Sequence, residues 1–472
     1  MTRHIIRKKI VRTLAIAGAL LLGYACYYAW QVLVIGAAYK AKVLCSGVFV
    51  SKRTPQDVLD QDLEGILSII HEEIDFDGKS VSTSFPGILT QRAIFRDGLG
   101  CTLLAGLSET EVRRQAKDIN MNTPMLPNRP GNIAGLRDFE EGLPPEVSSR
   151  ELAEALDRAF LETDPGNPIR TRAVVVVYDG QIIAERYAPG ISSDTALPGW
   201  SMTKSITNAL VGVLVKQGKL SIDQPVAIAE WSSAGDPRSE ITLDQLLRMS
   251  SGLEFDETSG PVVSDVNRML LRRPDAAAFA VAKSLRHPTG THWHYSSGTT
   301  NIISRVIRDS VGGTATDYLT FPRKALFDRI GMRNAIIEPD ASGTFVGSSF
   351  MYATARDWAR FGLLYLQDGV WEGERVLPTG WVYYSTTPTP TAPLGRYGAH
   401  FWTNGGEAAS GNARPFRNLP ADAFYAAGYE GQYVVIIPSR KLVIVRLGQT
   451  KRFASWDMES FVSDVISAIS DK

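Results

Sequence analysis

Ser201 and Lys204, in the run Trp200-Ser-Met-Thr-Lys-Ser205, stand three residues apart. On a helix that spacing puts both side chains on one face, one turn from each other. A serine hydroxyl is a poor nucleophile near neutrality unless a neighbouring base takes its proton, and Lys204 is in reach to be that base. The chemistry would be acyl transfer. By itself the spacing is weak, since about one chance match is expected in a chain of this length. An N-cap serine followed by a solvated lysine has the same letters. Two later segments change the weighing. Tyr295-Ser-Ser-Gly298 follows the turn Pro288-Thr-Gly290 and precedes the apolar stretch Asn301-Ile-Ile-Ser-Arg-Val-Ile307, which reads as turn, exposed tyrosine, then helix. Gly428-Tyr-Glu-Gly-Gln432 leads into Tyr433-Val-Val-Ile-Ile437, the turn Pro438-Ser-Arg-Lys441 and Leu442-Val-Ile-Val-Arg-Leu447. These are two strands of a hairpin, with glycines at its entrance that let backbone approach a ligand.

In this order the three segments resemble the serine hydrolases related to class C β-lactamases, whose motifs are Ser-x-x-Lys, Tyr-x-Asn and a Lys/His-Thr/x-Gly strand. That family includes penicillin-binding D,D-peptidases, esterases and 6-aminohexanoate-dimer hydrolases. The linking segments Lys219-Leu-Ser-Ile-Asp-Gln-Pro225, Leu246-Leu-Arg-Met-Ser-Ser-Gly252 and Thr354-Ala-Arg-Asp-Trp-Ala-Arg-Phe-Gly362 are similar too, so the likeness runs from about Arg150 to the C-terminus. The local wording is most similar to the 6-aminohexanoate-dimer hydrolases.

The resemblance implies that Ser201 attacks a carbonyl carbon and that water then cleaves the acyl-enzyme. Lys204 and Tyr295 would share the proton work. Their ordinary pKa values are about 10.4 and about 10, so a base near neutrality needs a downward shift of roughly three units, about 4 kcal/mol. Burial of the ammonium lowers the lysine, and a nearby positive charge favours the phenolate. Which of the two is the base stays open, because they titrate as a coupled pair. The oxyanion donors would be the N–H at the helix start and, carried over from the family, the N–H of Gln432, beside Gly431. Two departures stand out. Ser297 occupies the place of the Asn, and Tyr429 the place of the strand lysine or histidine. Without that cation the case for binding a β-lactam carboxylate weakens, which leaves a simpler amide, ester or peptide substrate. Trp200, Tyr397, His400, Phe401 and Trp402 are candidate pocket walls. Two alternatives remain: a D,D-peptidase or β-lactamase-type enzyme, and a non-catalytic module that binds cell-wall peptides.

Rival motifs carry less. Gly199-Trp-Ser-Met-Thr203 has Thr where the nucleophile elbow of an α/β-hydrolase has its last glycine. His292 and His294 lack a third ligand for a metal, no Gly-Lys-Ser/Thr phosphate loop is present, and no cofactor is called for. With 50 Lys+Arg against 50 Asp+Glu, nothing in the charge balance asks for nucleic acid. Oligomeric state is not legible.

The elements that must position these residues begin with a basic segment over residues 1–12, which carries Arg3, Arg7, Lys8, Lys9 and Arg12. An apolar run over residues 13–38 follows, long enough to span a bilayer. The positive charge before it puts the N-terminus in the cytoplasm and the catalytic region on the periplasmic or extracytoplasmic side of the inner (cytoplasmic) membrane. Its length favours a retained anchor over a cleaved signal, although Gly36-Ala-Ala38 is a tolerable cleavage site. Cys26 falls in this run, leaving Cys45 and Cys101 as a pair that an oxidising compartment would allow to bridge. Residues 39–120 form an appended region of unread purpose, and residues 121–147, with several Pro, Gly and Asn, a linker or wrapping segment. Residues 148–472 are the hydrolase domain. It opens with the cap Ser148-Ser-Arg-Glu151 and an amphipathic helix, then the hairpin Ala173–Tyr178 and Gln181–Tyr187 around Asp179-Gly180. Strands return near Phe424, and a last helix covers Met458–Ile469. Strands at both ends with helices between imply an α+β fold of the β-lactamase/transpeptidase type: one antiparallel sheet flanked by helices, beside a mostly helical subdomain.

Overall fold

The structure, a computed structural model, describes residues 2–470 apart from 64–65, 86, 88, 118, 120–141, 259–261, 407–413 and 453–454. At its centre is a six-stranded antiparallel sheet. Its strands run in the spatial order Trp402–Thr403, Phe424–Gly428, Gln432–Ile437, Leu442–Gly448, Thr171–Tyr178, Gln181–Tyr187. The two hairpins read from the sequence therefore meet along Leu442–Gly448 and Thr171–Tyr178, with Val445 opposite Val175. Ala173-Val-Val-Val-Val177 is apolar throughout because both faces of the sheet are covered. Val174 and Val176 pack with Leu152, Leu156, Phe461 and Val465 of the first and last domain helices. Val175 and Val177 point the other way, into a core with Ile206, Leu210, Trp358 and Phe361. The Ser148 hydroxyl accepts from the Glu151 N–H and caps the Ser149–Phe160 helix as expected.

The helical part lies on the side of the Thr203–Lys216 and Ala355–Leu366 helices and contains Asp265–Arg272, Ala276–Val281, Ser297–Val311 and Ala315–Pro322. This is the sheet assembled from distant pieces, beside helices, that the sequence implies.

The N-terminal region supplies a second unit of structure. One helix runs from Thr2 to Cys45. Residues 6–30 are exposed along its whole circumference, whereas from Gln31 onward it is mostly buried. Ile35, Ala38, Ala41 and Leu44 recur every third residue on the buried face, the spacing of a helix stripe. They pack on a four-stranded antiparallel sheet, His71–Asp75, Ser80–Phe85, Leu89–Arg96 and Gly100–Leu103, and on Leu271, Val346 and Phe350 of the C-terminal part. Cys45 and Cys101 form a disulfide. Lys42 forms a buried ion pair with Glu338, whose carboxylate also accepts from Ser46 Oγ (2.8 Å) and the Cys101 N–H (2.6 Å). Of the expected linker, residues 121–141 lie outside the described residues. Beyond it, the Gly142 carbonyl accepts from Gln181 Nε2 (3.0 Å) and Val147 bridges to Ile469.

Candidate active site

Ser201 lies in a single 3-10 turn, Trp200–Met202, that runs into the Thr203–Lys216 helix. The turn is tightly held. Gly199 N–H donates to the Met351 carbonyl (2.8 Å) and Thr203 Oγ1 to the Trp200 carbonyl (2.6 Å). Trp200 sits at φ +48°, a conformation that costs a bulky residue about 1–3 kcal/mol and persists only where packing over-determines it. Stacking near Tyr39 and an edge contact with Tyr429 supply that packing.

Lys204 turns back toward the start of its helix. Its Nζ donates to Ser201 Oγ, Ser297 Oγ and the Ser348 carbonyl, each at 3.0 Å. All three partners are neutral oxygens, so the ammonium is hydrogen-bonded without a direct counter-ion. Burial lowers its pKa to about 8, against an upward pull from the Glu257 carboxylate. His400 lies beneath it: Nδ1–H donates to the Lys204 carbonyl (2.9 Å) and Nε2 accepts from Thr300 Oγ1 (3.2 Å). Burial pulls the imidazole down to about 3, so it is a neutral prop.

Tyr295 precedes the Ser297–Val311 helix. Its ring stands 4.7 Å from Lys204 Nζ, edge-on to Tyr397 and stacked on Trp402. It is half-buried, not the exposed tyrosine the turn signal suggests. Burial pushes the phenol well up, the facing Ser201 hydroxyl offsets part of the rise, and Glu257 adds to it. The sequence expectation is that the lysine charge favours a phenolate; the shift runs upward instead, with desolvation its largest cause.

Glu257 has no signature in the sequence. It lies in an irregular loop after Leu253, 40 residues before the serine it holds. Ser297 donates to it twice, from Oγ to Oε1 (2.5 Å) and from its N–H to Oε2 (2.7 Å). Ser297 thus accepts from Lys204 and donates to Glu257. That relay explains why a serine suffices in the place of the Asn. Burial raises the Glu257 carboxyl, with Lys204 opposing.

The glycine-rich third segment closes the hairpin, with Gln432 paired to Gly428 across it. The Gln432 side chain is turned away, with Nε2 donating to the Gly448 carbonyl (2.6 Å) and Oε1 accepting the Gly448 N–H (3.0 Å). Gly431, at φ +81°, forms the hairpin turn, where its carbonyl accepts from Arg446. The strand that flanks the serine turn is Phe424–Gly428, and a Cβ on Gly428 would lie 2.2 Å from the Gly199 carbonyl oxygen. Ala427, Gly428 and Tyr429 line the cavity in front of Ser201; Gly431 and Gln432 do not.

That cavity has a volume of about 700 Å³, within the range of sites that take drug-sized ligands. Ser201, Tyr295, Ser297 and Glu257 open onto it, with Trp200 and Trp402 as walls. Tyr397, His400 and Phe401 stand behind the wall in the core. His294 Nε2–H donates locally to the Phe255 carbonyl (2.7 Å), and His292 stacks on His287. Among the described residues no cluster of His, Cys, Asp and Glu is arranged to hold a metal.

Comparison with known proteins agrees with the geometry. The beta-lactamase family model matches residues 156–458. The chain belongs to the beta-lactamase family. Members of this family are serine hydrolases acting on amide and ester bonds. The chain is 26% identical over 297 residues to the 6-aminohexanoate-dimer hydrolase of Paenarthrobacter ureafaciens, covering 59% of this chain and 72% of the relative. In structure it is similar to a penicillin-binding protein homolog from Caulobacter crescentus (TM-score 0.52, 18% identity, 72% of this chain and 99% of that one). A family VIII carboxylesterase is also similar (TM-score 0.50, 17% identity, 69% of this chain and 97% of that one). The beta-lactamase match begins well after the Thr2–Cys45 helix and its four-stranded sheet, which lie outside it.

Proposed function

We propose that this chain is a membrane-anchored serine hydrolase that cleaves an amide or ester through an acyl-Ser201 intermediate. The observation that carries the reading is Lys204 Nζ at 3.0 Å from Ser201 Oγ, buried, with the Tyr295 ring 4.7 Å away on the wall of one cavity. A lysine brought down to about 8 has an appreciable neutral fraction near neutrality, whereas the phenol is pushed the other way. Lys204 is therefore the base and Tyr295 the donor. The Ser201 proton passes to the Lys204 amine as Oγ bonds to the carbonyl carbon. The tetrahedral adduct expels its alcohol or amine, which takes a proton from Tyr295, itself reprotonated by the Lys204 ammonium. Water then attacks the acyl ester with the same groups, and the acid leaves as Ser201 regains its proton.

Negative charge on the adduct needs two aimed donors. The N–H of Ser201 is one, and Tyr429, at the end of the Phe424–Gly428 strand, offers the other. Neither donates to another backbone carbonyl among the described residues. Gly428, pressed against Gly199, sets their separation. With the motif so placed, Ala426 occupies the position of the strand cation, which supports a neutral amide or ester over a carboxylate-bearing β-lactam.

Continuity of the N-terminal helix supports a retained anchor. Cutting after Ala38 would strip Ile35, Ala37 and Ala38, each at most 3% exposed, from the interior. A fluorophosphonate probe tests the chemistry: wild type reacts and Ser201→Ala does not. Folded wild type that never reacts would favour a binding module instead.

A further inference from the structure

The geometry points to a substrate with a long acyl chain, carried by a bilayer amphiphile, that enters the Ser201 cavity from the membrane surface. This deepens, and rests on, the anchored hydrolase reading. Part of the cavity wall comes from the anchor helix itself: Val32, Leu33 and Gly36 line it, as do Val266 and Leu270 of the Asp265–Arg272 helix. The lining these two helices contribute is mostly apolar, with Lys42 and Asn267 among it, and its apolar stretch suits a hydrocarbon chain.

The helix also fixes where the membrane surface lies. Its exposed apolar residues, Leu14 through Leu22, give way to exposed Tyr24, Tyr27, Tyr28 and Trp30. Tyrosine and tryptophan collect at the membrane–water boundary. From Trp30 to Gly36 is six residues, about 9 Å along a helix axis, so the cavity wall starts within one or two turns of that boundary. The rim has the matching character. Ile69 is 49% exposed, Val262 38% and Tyr429 51%, and all three border the cavity. Large apolar side chains left in water around a pocket mouth mark a surface that meets something apolar. A bilayer immediately beside them supplies it, and the carbonyl of a chain end held there faces Ser201.

The test uses the full chain reconstituted in phosphatidylcholine vesicles, with 4-methylumbelliferyl acetate and dodecanoate as substrates and fluorophosphonate labelling as a separate readout. Burying a methylene is worth about fourfold in kcat/KM, so three or four seated methylenes raise dodecanoate over acetate on the order of 100-fold. Val266→Trp, which fills the aliphatic end, should cut that ratio tenfold or more while Ser201 still labels. Val262→Asp, on the exposed rim and harmless to folding, should lower it as well. A ratio near one, or a high ratio that neither substitution changes in labelled protein, overturns the inference and leaves the hydrolase standing. Absence of both labelling and turnover of either ester in the wild type overturns the hydrolase, and the inference with it.

Discussion

Lys204 and Glu257 set the pH behaviour of the site through Ser297, which touches both. In the proposed mechanism the neutral amine is the active form, so kcat/KM should rise with pH through about 8 and level off above it. The Glu257 charge holds the lysine up; removing it lets the lysine fall further. Glu257→Gln should therefore move the rising limb to lower pH, measured as the kcat/KM profile of a short acyl ester. A limb that stays put would mean that the carboxyl is already neutral in the working enzyme. Of these groups the sequence displayed Ser201, Lys204 and Tyr295, because each sits in a short motif whose spacing is itself the chemistry. Glu257 was invisible for the opposite reason. A carboxylate in an irregular loop acts through where the loop is carried, and nothing local encodes that.

At the level of elements, the closest fit is the strand end at Gly428 against the serine turn. Gly428→Ala puts a methyl 2.2 Å from a backbone oxygen that the Gly199–Met351 hydrogen bond prevents from yielding. Overpacking of this kind costs about 1–3 kcal/mol. Because the strain falls between the two proposed oxyanion donors, the loss of kcat/KM should exceed what the fall in denaturation midpoint accounts for; equal losses would locate those donors elsewhere. This contact also shows where sequence reading stopped. The paired hairpin strands Gln432–Ile437 and Leu442–Gly448 are continuous apolar runs and were plain. Phe424-Tyr-Ala-Ala-Gly428 has weak strand character, so nothing local marks its end as the candidate third motif proposed above. Gly431, three residues on, is the more conspicuous glycine and stands in the turn of the hairpin.

For the whole molecule, the anchor helix and the Cys45–Cys101 bridge are one assembly. Replacing both cysteines by serine removes a closure of 56 residues, worth about 4 kcal/mol by chain entropy, which denaturant unfolding of the detergent-solubilised chain would read. If the helix is retained as proposed, intact mass of the purified protein should show that the residues before Tyr39 are still present. An N-terminus at residue 39 would show that the leader is removed. The basic N-terminus and the apolar run were readable from composition alone. The turning of that helix, after Gln31, into part of the fold was not, because small apolar residues such as Ala37, Ala38 and Ala41 look the same to lipid and to a protein interior.

A helix of 44 residues without a break is about 66 Å long, and its far end is pinned by a disulfide and a buried ion pair. If the helix is the anchor proposed above, no tether of loose chain separates the bilayer from Ser201. Anchored as proposed, the protein would keep Ser201 at a constant height and sweep a plane as it diffuses. Its encounter rate then follows the number of target molecules per unit area of membrane, not their amount per unit volume of the surrounding fluid.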